Sequence, residues 1–214
     1  MAQVAPGDQD TPFAAPLPQV SAARLTRLIV FSNTYAVKEV DYLMKILETE
    51  RLILRRLILD DLDALFALYS DPEVRRYFPE GTLTYEETKE ELEWFLNGHP
   101  KFPQLGLWAT IHKETGRFIG RCGLLPWTID GREEVEVAYM LAKDVWGQGL
   151  ATEAAQAILD YAFEQLGYSR IIVLVDRENA ASIRVATKIG MTFEKEGQDD
   201  KGPFLLYSIN KRSS

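Results

Sequence analysis

The chain has 214 residues, 46% of them apolar and 26% charged, enough to bury one core and without the bias of a disordered or fibrous protein. Its formal net charge of −8 argues against broad affinity for nucleic acid or an anionic membrane and favours amines and basic peptides as partners. Cys122 is the single cysteine, which excludes an internal disulfide. With only His99 and His112 beside it, a Cys/His zinc site is implausible, and a metal-free protein in a reducing, cytoplasmic setting is expected.

Residues 1–21 carry Pro6, Pro12, Pro16 and Pro18 among small and polar residues with no helical or strand period, and residues 1–43 read as an N-terminal extension, disordered or weakly ordered. Residues 24–37 mimic a secretory signal, but Ser32, Asn33 and Thr34 interrupt the apolar run. No segment reaches the apolar length of a membrane span. The domain proper is expected over residues 44–214. Met44 opens it and doubles as an alternative translation start, an idea that an intact mass retaining Met1 would end.

From Arg51 the chain alternates elements as a mixed α/β domain does. Residues 51–58 predict a strand and 60–69 a helix opened by Asp60 or Asp61, with Leu62, Leu65, Phe66 and Tyr69 inward. Thr84-Tyr85-Glu86-Glu87 is a capping box for a second helix, whose apolar positions are Leu92, Phe95 and Leu96 and whose stop is Gly98. Leu105–His112 and Arg117–Pro126 read as strands joined at Thr115-Gly116, and Asp130-Gly131 turns into a third over 133–141. A helix follows, with Ala151, Ala155, Ile158, Leu159, Ala162, Phe163 and Leu166 along one face. Ile171-Ile172-Val173-Leu174-Val175 is an unbroken run of the kind found in a strand covered on both faces. A helix from about Ala180 to Ile189 and strands near 192–197 and 203–209 close the chain.

The chemistry concentrates between Glu134 and Ala154, which reads as strand, glycine loop and helix start. Gly147 and Gly149 flank one residue just before an apolar helical pattern. Backbone N–H groups there can approach an anion without side-chain obstruction, and the helix dipole adds partial positive charge, so this is a pyrophosphate site. A Walker loop would need Lys followed by Ser or Thr, and a dinucleotide loop three glycines and a downstream acid. The segment instead resembles the acetyl-CoA loop of the GNAT N-acetyltransferase superfamily, Gln or Arg, two residues, Gly, one residue, Gly or Ala. It stands here as Trp146-Gly147-Gln148-Gly149-Leu150-Ala151. Trp in the first position is a departure familiar in the RimJ/RimL-like branch of ribosomal-protein N-terminal acetyltransferases. A second stretch, Asp176 to Phe193, resembles the Asn-x-x-Ser segment of that branch through Asn179 and Ser182, and its Gly-Phe ending.

The resemblance covers residues 46–210 and implies the GNAT acyl-CoA N-acyltransferase fold, α/β (mixed α+β). A central mixed, mostly antiparallel twisted sheet of six to seven strands would be flanked by about four helices, the first two beside an acceptor cleft. It implies acetyl transfer from acetyl-CoA, as donor substrate, to a primary amine, either a protein N-terminus or a small molecule, by direct attack in a ternary complex. The alternatives are a catalytically silent acyl-CoA-binding sensor and a nucleotide-binding or structural module. The sensor is kept open by Ala186, which stands where many GNAT enzymes carry Tyr. The protein would work as a monomer or homodimer, with no nucleic acid, membrane or metal.

Under this reading an ammonium acceptor must lose a proton and the departing thiolate must gain one. Glu136 resembles the strand glutamate that deprotonates amines, against the alternative that Glu134 and Glu136 form the solvated face of an alternating strand with Val135 and Val137 inward. Ser182 matches the serine proposed as acid in the RimL-like branch, against a capping role, and Tyr207 is the second choice. Gly147, Gln148, Gly149, Leu150, Ala151 and Thr152 would give N–H groups to the pyrophosphate, with the Thr152 hydroxyl as a further donor. Met140, Leu141 and Ala142 are placed to pair with the pantetheine arm where the strand splays beyond Met140. Asn179 caps the next helix and could also meet the arm. Trp94, Trp108, Trp127 and Tyr77 divide between core and cleft lining, and Cys122 reads as a small buried apolar residue rather than a nucleophile.

Overall fold

The computed structural model describes residues 45–97, 99, 101–199 and 202–211, so the N-terminal extension, Met44 and the helix stop at Gly98 lie outside the described residues. Strands β1 (Lys45–Glu48) and β2 (Leu52–Arg56) lead into helices α1 (Leu62–Tyr69) and α2 (Tyr85–Asn97). The meander β3 (Gly106–His112), β4 (Arg117–Ile129), β5 (Arg132–Leu141) follows, then α3 (Leu150–Glu164), β6 (Arg170–Val175), α4 (Ala180–Lys188), β7 (Thr192–Asp199) and β8 (Gly202–Asn210). All strands join one eight-stranded sheet in the order β1-β2-β3-β4-β5-β6-β8-β7, antiparallel except between β5 and β6. The sheet exceeds the expected six to seven strands because Lys45-Ile46-Leu47-Glu48 pairs with β2, and four residues are too short to show a period.

The odd-numbered residues of β5, Val135, Val137 and Leu141, share a core with Ile171, Val173 and Val175 of β6 and with Leu150, Ala154, Ile158 and Leu159 of α3. Met140 faces the other way, into a core with Leu65, Leu68 and Tyr69 of α1 and Leu92 of α2. Both faces of β6 are covered, Ile171, Val173 and Val175 by α3 and Ile172 and Leu174 by Leu206, Trp127, Ile129 and Phe204, which is why Ile171–Val175 is apolar throughout.

The capping box forms as expected: Thr84 N–H donates to Glu87 Oε2 at 2.7 Å and Glu87 N–H to Thr84 Oγ1 at 3.3 Å. Asp61 precedes α1, but its side chain does not cap that helix. Its carboxylate is taken by the Arg55 guanidinium, at 2.7 and 2.8 Å, and by Ile58 N–H at 2.9 Å, in a buried pair whose fork geometry outcompetes a single cap bond. Asp61→Ala is expected to cost about 3–5 kcal/mol, since it removes the carboxylate from a buried, doubly hydrogen-bonded ion pair. Chemical denaturation checks this, and a loss below about 1 kcal/mol would assign the pair no more than a surface value.

Cys122 is fully buried on β4, and burial pushes its thiol up to about 11. The native protein should therefore resist a thiol reagent at mildly alkaline pH and react in denaturant, whereas fast stoichiometric labelling of the folded protein would contradict that placement.

Candidate active site

The centre of the sheet opens. The β4–β5 ladder runs unbroken from Gly120 opposite Leu141 to Ile129 opposite Arg132, whereas β5 and β6 pair only where Glu136 faces Ile172. The splay thus begins at Glu136 and not beyond Met140. Glu136 itself stands at the vertex: its Oε1 accepts the Leu174 N–H at 3.2 Å and its Oε2 accepts Trp127 Nε1–H at 2.7 Å. A carboxylate has taken a β6 amide that a continuing ladder would have given to main chain.

Glu136 is 4% exposed and Glu134 is 7% exposed, so the pair does not form a solvated face. β5 is an inner strand, and alternation does not turn either side to water. Glu134 is held by Arg170 at 3.1 Å and Arg132 at 3.3 Å.

The main chain at the end of β5 alternates between its two neighbours. Ala142 N–H donates to Ile119 O at 2.8 Å, and its carbonyl accepts Val145 N–H at 3.2 Å. Two residues back, Met140 O lies so close to Gly120 that a Cβ there would not fit. Met140 and Ala142 therefore turn towards β4, and the groups facing the open side belong to Tyr139 and Leu141. Of these the Leu141 carbonyl is already taken by Trp146 Nε1–H at 2.8 Å. The Tyr139 main chain and the Leu141 N–H remain, a refinement of the expected Met140–Ala142 set.

The glycine loop follows directly. Gly147 and Gly149 have φ of 77° and 80°, a region open to glycine at no steric cost. Gly149 is the N-cap of α3 and no side chain caps that helix. Glu153 N–H is bonded to Gly149 O at 3.0 Å, but among the described residues the amides of 147–152 meet no acceptor. Residues 147–149 are exposed and Thr152 is half-buried in the first helical turn. A run of unpaired amides at a helix start can receive an anion.

The opposite wall of the splay is α4. Asn179 caps it, its Oδ1 accepting Ser182 N–H at 3.0 Å. Ser182 is half-buried in the first turn, and its carbonyl accepts the Tyr139 hydroxyl at 3.1 Å, tying the two walls together. Burial holds that hydroxyl protonated well beyond the usual tyrosine range. Ala186 is buried and places no hydroxyl there. Tyr207 lies farther out on β8, opposite Val173 and edge-on to Phe193, with ring centroids 5.7 Å apart.

Trp127 is the one of the four singled-out aromatics that hydrogen-bonds Glu136. Trp108 is core, edge-on to Tyr161 at 5.8 Å; Trp94 packs on Phe95 at 4.8 Å; Tyr77 lies under the Arg76 guanidinium at 5.4 Å. Among the described residues no cluster of His, Cys, Asp and Glu is arranged to hold a metal, and no helix is long and apolar enough to cross a membrane.

A clamp on the loop has no signature in the sequence. Arg51 N–H and Nε–H donate to the two oxygens of Glu153 at 2.8 and 2.6 Å, Thr49 Oγ1 donates to Glu153 Oε1 at 2.5 Å, and the Arg51 NH1 group donates to Gln148 O at 3.0 Å. Burial would raise the Glu153 carboxyl, but the hydrogen bonds from Thr49 and Arg51 outweigh it and hold it below the usual carboxylate range. No local pattern links a turn at Thr49–Arg51 to a helix start a hundred residues on.

A family profile described as an acetyltransferase (GNAT) domain matches residues 51–192. The chain is 36% identical over 178 residues to p20 of Bacillus licheniformis, an uncharacterized N-acetyltransferase, covering 79% of this chain and 98% of that one. The crystal structure of a GNAT-family acetyltransferase from Bacillus anthracis matches with a TM-score of 0.65 at 27% identity, covering 76% of this chain and 96% of that one. The structure of a ribosomal-protein-S5-alanine acetyltransferase from Vibrio fischeri shares the fold, with a TM-score of 0.62 at 19% identity, covering 77% of this chain and 95% of that one. The resemblance carried by the glycine loop and the Asn179 segment extends to the sheet, its helices and their order: the chain belongs to the GNAT family and is an acetyltransferase.

Proposed function

We propose that the protein transfers the acetyl group of acetyl-CoA to a primary amine, a protein N-terminus or a small molecule, by direct attack in a ternary complex. One observation carries this reading: the unpaired amides of 147–152 stand at the end of the strand that begins its splay at Glu136, so one extended ligand would reach from anion site to carboxylate. The donor substrate supplies a thioester, already activated towards an amine.

The residues present fit such a donor. The amides of 147–152 take its diphosphate, with the Thr152 hydroxyl beside them. The Tyr139 main chain and Leu141 N–H pair with the amides of the arm as an added strand would, Met140 and Ala142 back that edge, and the Asn179 side-chain amide faces the arm from the other wall. Glu136, fixed by Trp127 and Leu174, accepts a proton from the ammonium directly or through one water. The amine nitrogen then attacks the carbonyl carbon, the C–S bond breaks as the sulfur takes a proton from the Ser182 hydroxyl, and the nitrogen's second proton returns to Ser182, leaving amide, thiol and one proton on Glu136 to pass to water. Glu136 projects to the same face of the sheet as Met140, where α1 and α2 pack, so the acceptor enters from that side.

A screen of CoA-thiol release over N-terminal peptides, polyamines, amino acids and aminoglycosides tests the reading. Amine-dependent release with matching acetylated product is the expected result. Binding of acetyl-CoA with no release by any amine would contradict transfer and favour the silent sensor.

A further inference from the structure

We infer that Arg51 is a positioning residue for the anion cradle: by holding the Gln148 carbonyl it turns the Gly149 N–H towards the diphosphate. The inference rests on the donor site proposed above. In a planar trans peptide the C=O of one residue and the N–H of the next point in opposite directions, so whatever fixes the Gln148 oxygen fixes the Gly149 hydrogen. This peptide unit turns on ψ of Gln148 and φ of Gly149, and Gly149, at φ of 80° and without a side chain, leaves the second of these rotations unhindered. A rotated unit would aim a carbonyl at the anion. The Arg51 NH1 group, 3.0 Å from Gln148 O, opposes that rotation.

The clamp is closed on itself. Arg51 is held by both oxygens of Glu153, Glu153 by Thr49 as well, and the Glu153 amide returns to the loop through Gly149 O at 3.0 Å. The second terminal nitrogen of Arg51 lies 3.7 Å from where a Gly149 Cβ would stand, so the guanidinium is seated against the loop itself. With its charge offset by Glu153, Arg51 acts through the geometry of its planar fork, which a lysine ammonium does not reproduce. The β1–β2 turn thereby becomes part of the donor site, although it lies far from the loop in sequence.

The test uses the full chain with Arg51→Gln and Arg51→Lys, titrated calorimetrically with CoA and with pantetheine, which keeps the arm and lacks the diphosphate. Both variants should bind CoA about tenfold to a hundredfold more weakly and pantetheine as the wild type does. Pantetheine binding also reports that each variant is folded. Unchanged CoA affinity in Arg51→Gln, full rescue by Arg51→Lys, or equal losses for both ligands would each overturn the inference. Wild-type binding of CoA in the same experiment upholds the donor site independently, and its absence would bring down both.

Discussion

Replacing Glu136 by Gln is expected to lower turnover about a hundredfold to ten-thousandfold while leaving acetyl-CoA affinity at the wild-type value. An amide cannot take the ammonium proton, and the side chain lies on the proposed acceptor face, away from the amides proposed to hold the diphosphate. The substitution also carries a structural cost that a surface glutamate would not. Both oxygens accept N–H groups, from Trp127 and Leu174, so Gln must aim its NH2 at one of two donors. That mismatch in a buried place costs about 1–3 kcal/mol, visible as a lower melting temperature. Steady-state kinetics with a saturating amine and calorimetry with acetyl-CoA separate the effects. Wild-type turnover would remove Glu136 from its role, and lost donor affinity would show that it shapes the cleft instead.

Gly149→Glu should abolish measurable acetyl-CoA binding, a loss beyond about a hundredfold. Two costs combine. Gly149 holds φ of 80°, where a residue with a Cβ pays about 1–2 kcal/mol, and a carboxylate at a helix start would repel the diphosphate from its amides. The new side chain would also meet Arg51, seated 3.7 Å from the Cβ position, and draw its guanidinium from Gln148. Calorimetry checks it: a dissociation constant within about threefold of wild type would show that the loop does not form the anion site.

What the sequence revealed was whatever a short window encodes. The Thr84–Glu87 capping box, the apolar Ile171–Val175 strand, the glycine pair and the Asn179 cap are each complete within a few residues, and each occurs where expected. The rest depends on partners distant in sequence. The pattern at Glu134–Val137 suggests a solvated face only until α3 covers Val135 and Val137 and Trp127, Leu174 and Arg170 close over the two glutamates. The splay starts at Glu136 because its side chain captures the Leu174 amide, and no spacing rule encodes that contact. Asp61 abandons its cap for Arg55, and Arg51 reaches Glu153 and Gln148 across most of the domain. Which main-chain groups of residues 139–142 face the opening follows from hydrogen-bond alternation, which a sequence does not display.

Donor binding depends on the amides of 147–152 gripping the diphosphate. Titrating the isotope-labelled protein with CoA and following its backbone amide resonances reads those groups one by one. The largest shifts are predicted at Gly147 through Thr152, with smaller ones at Tyr139 and Leu141. Saturable CoA binding that left the 147–152 resonances in place would contradict it.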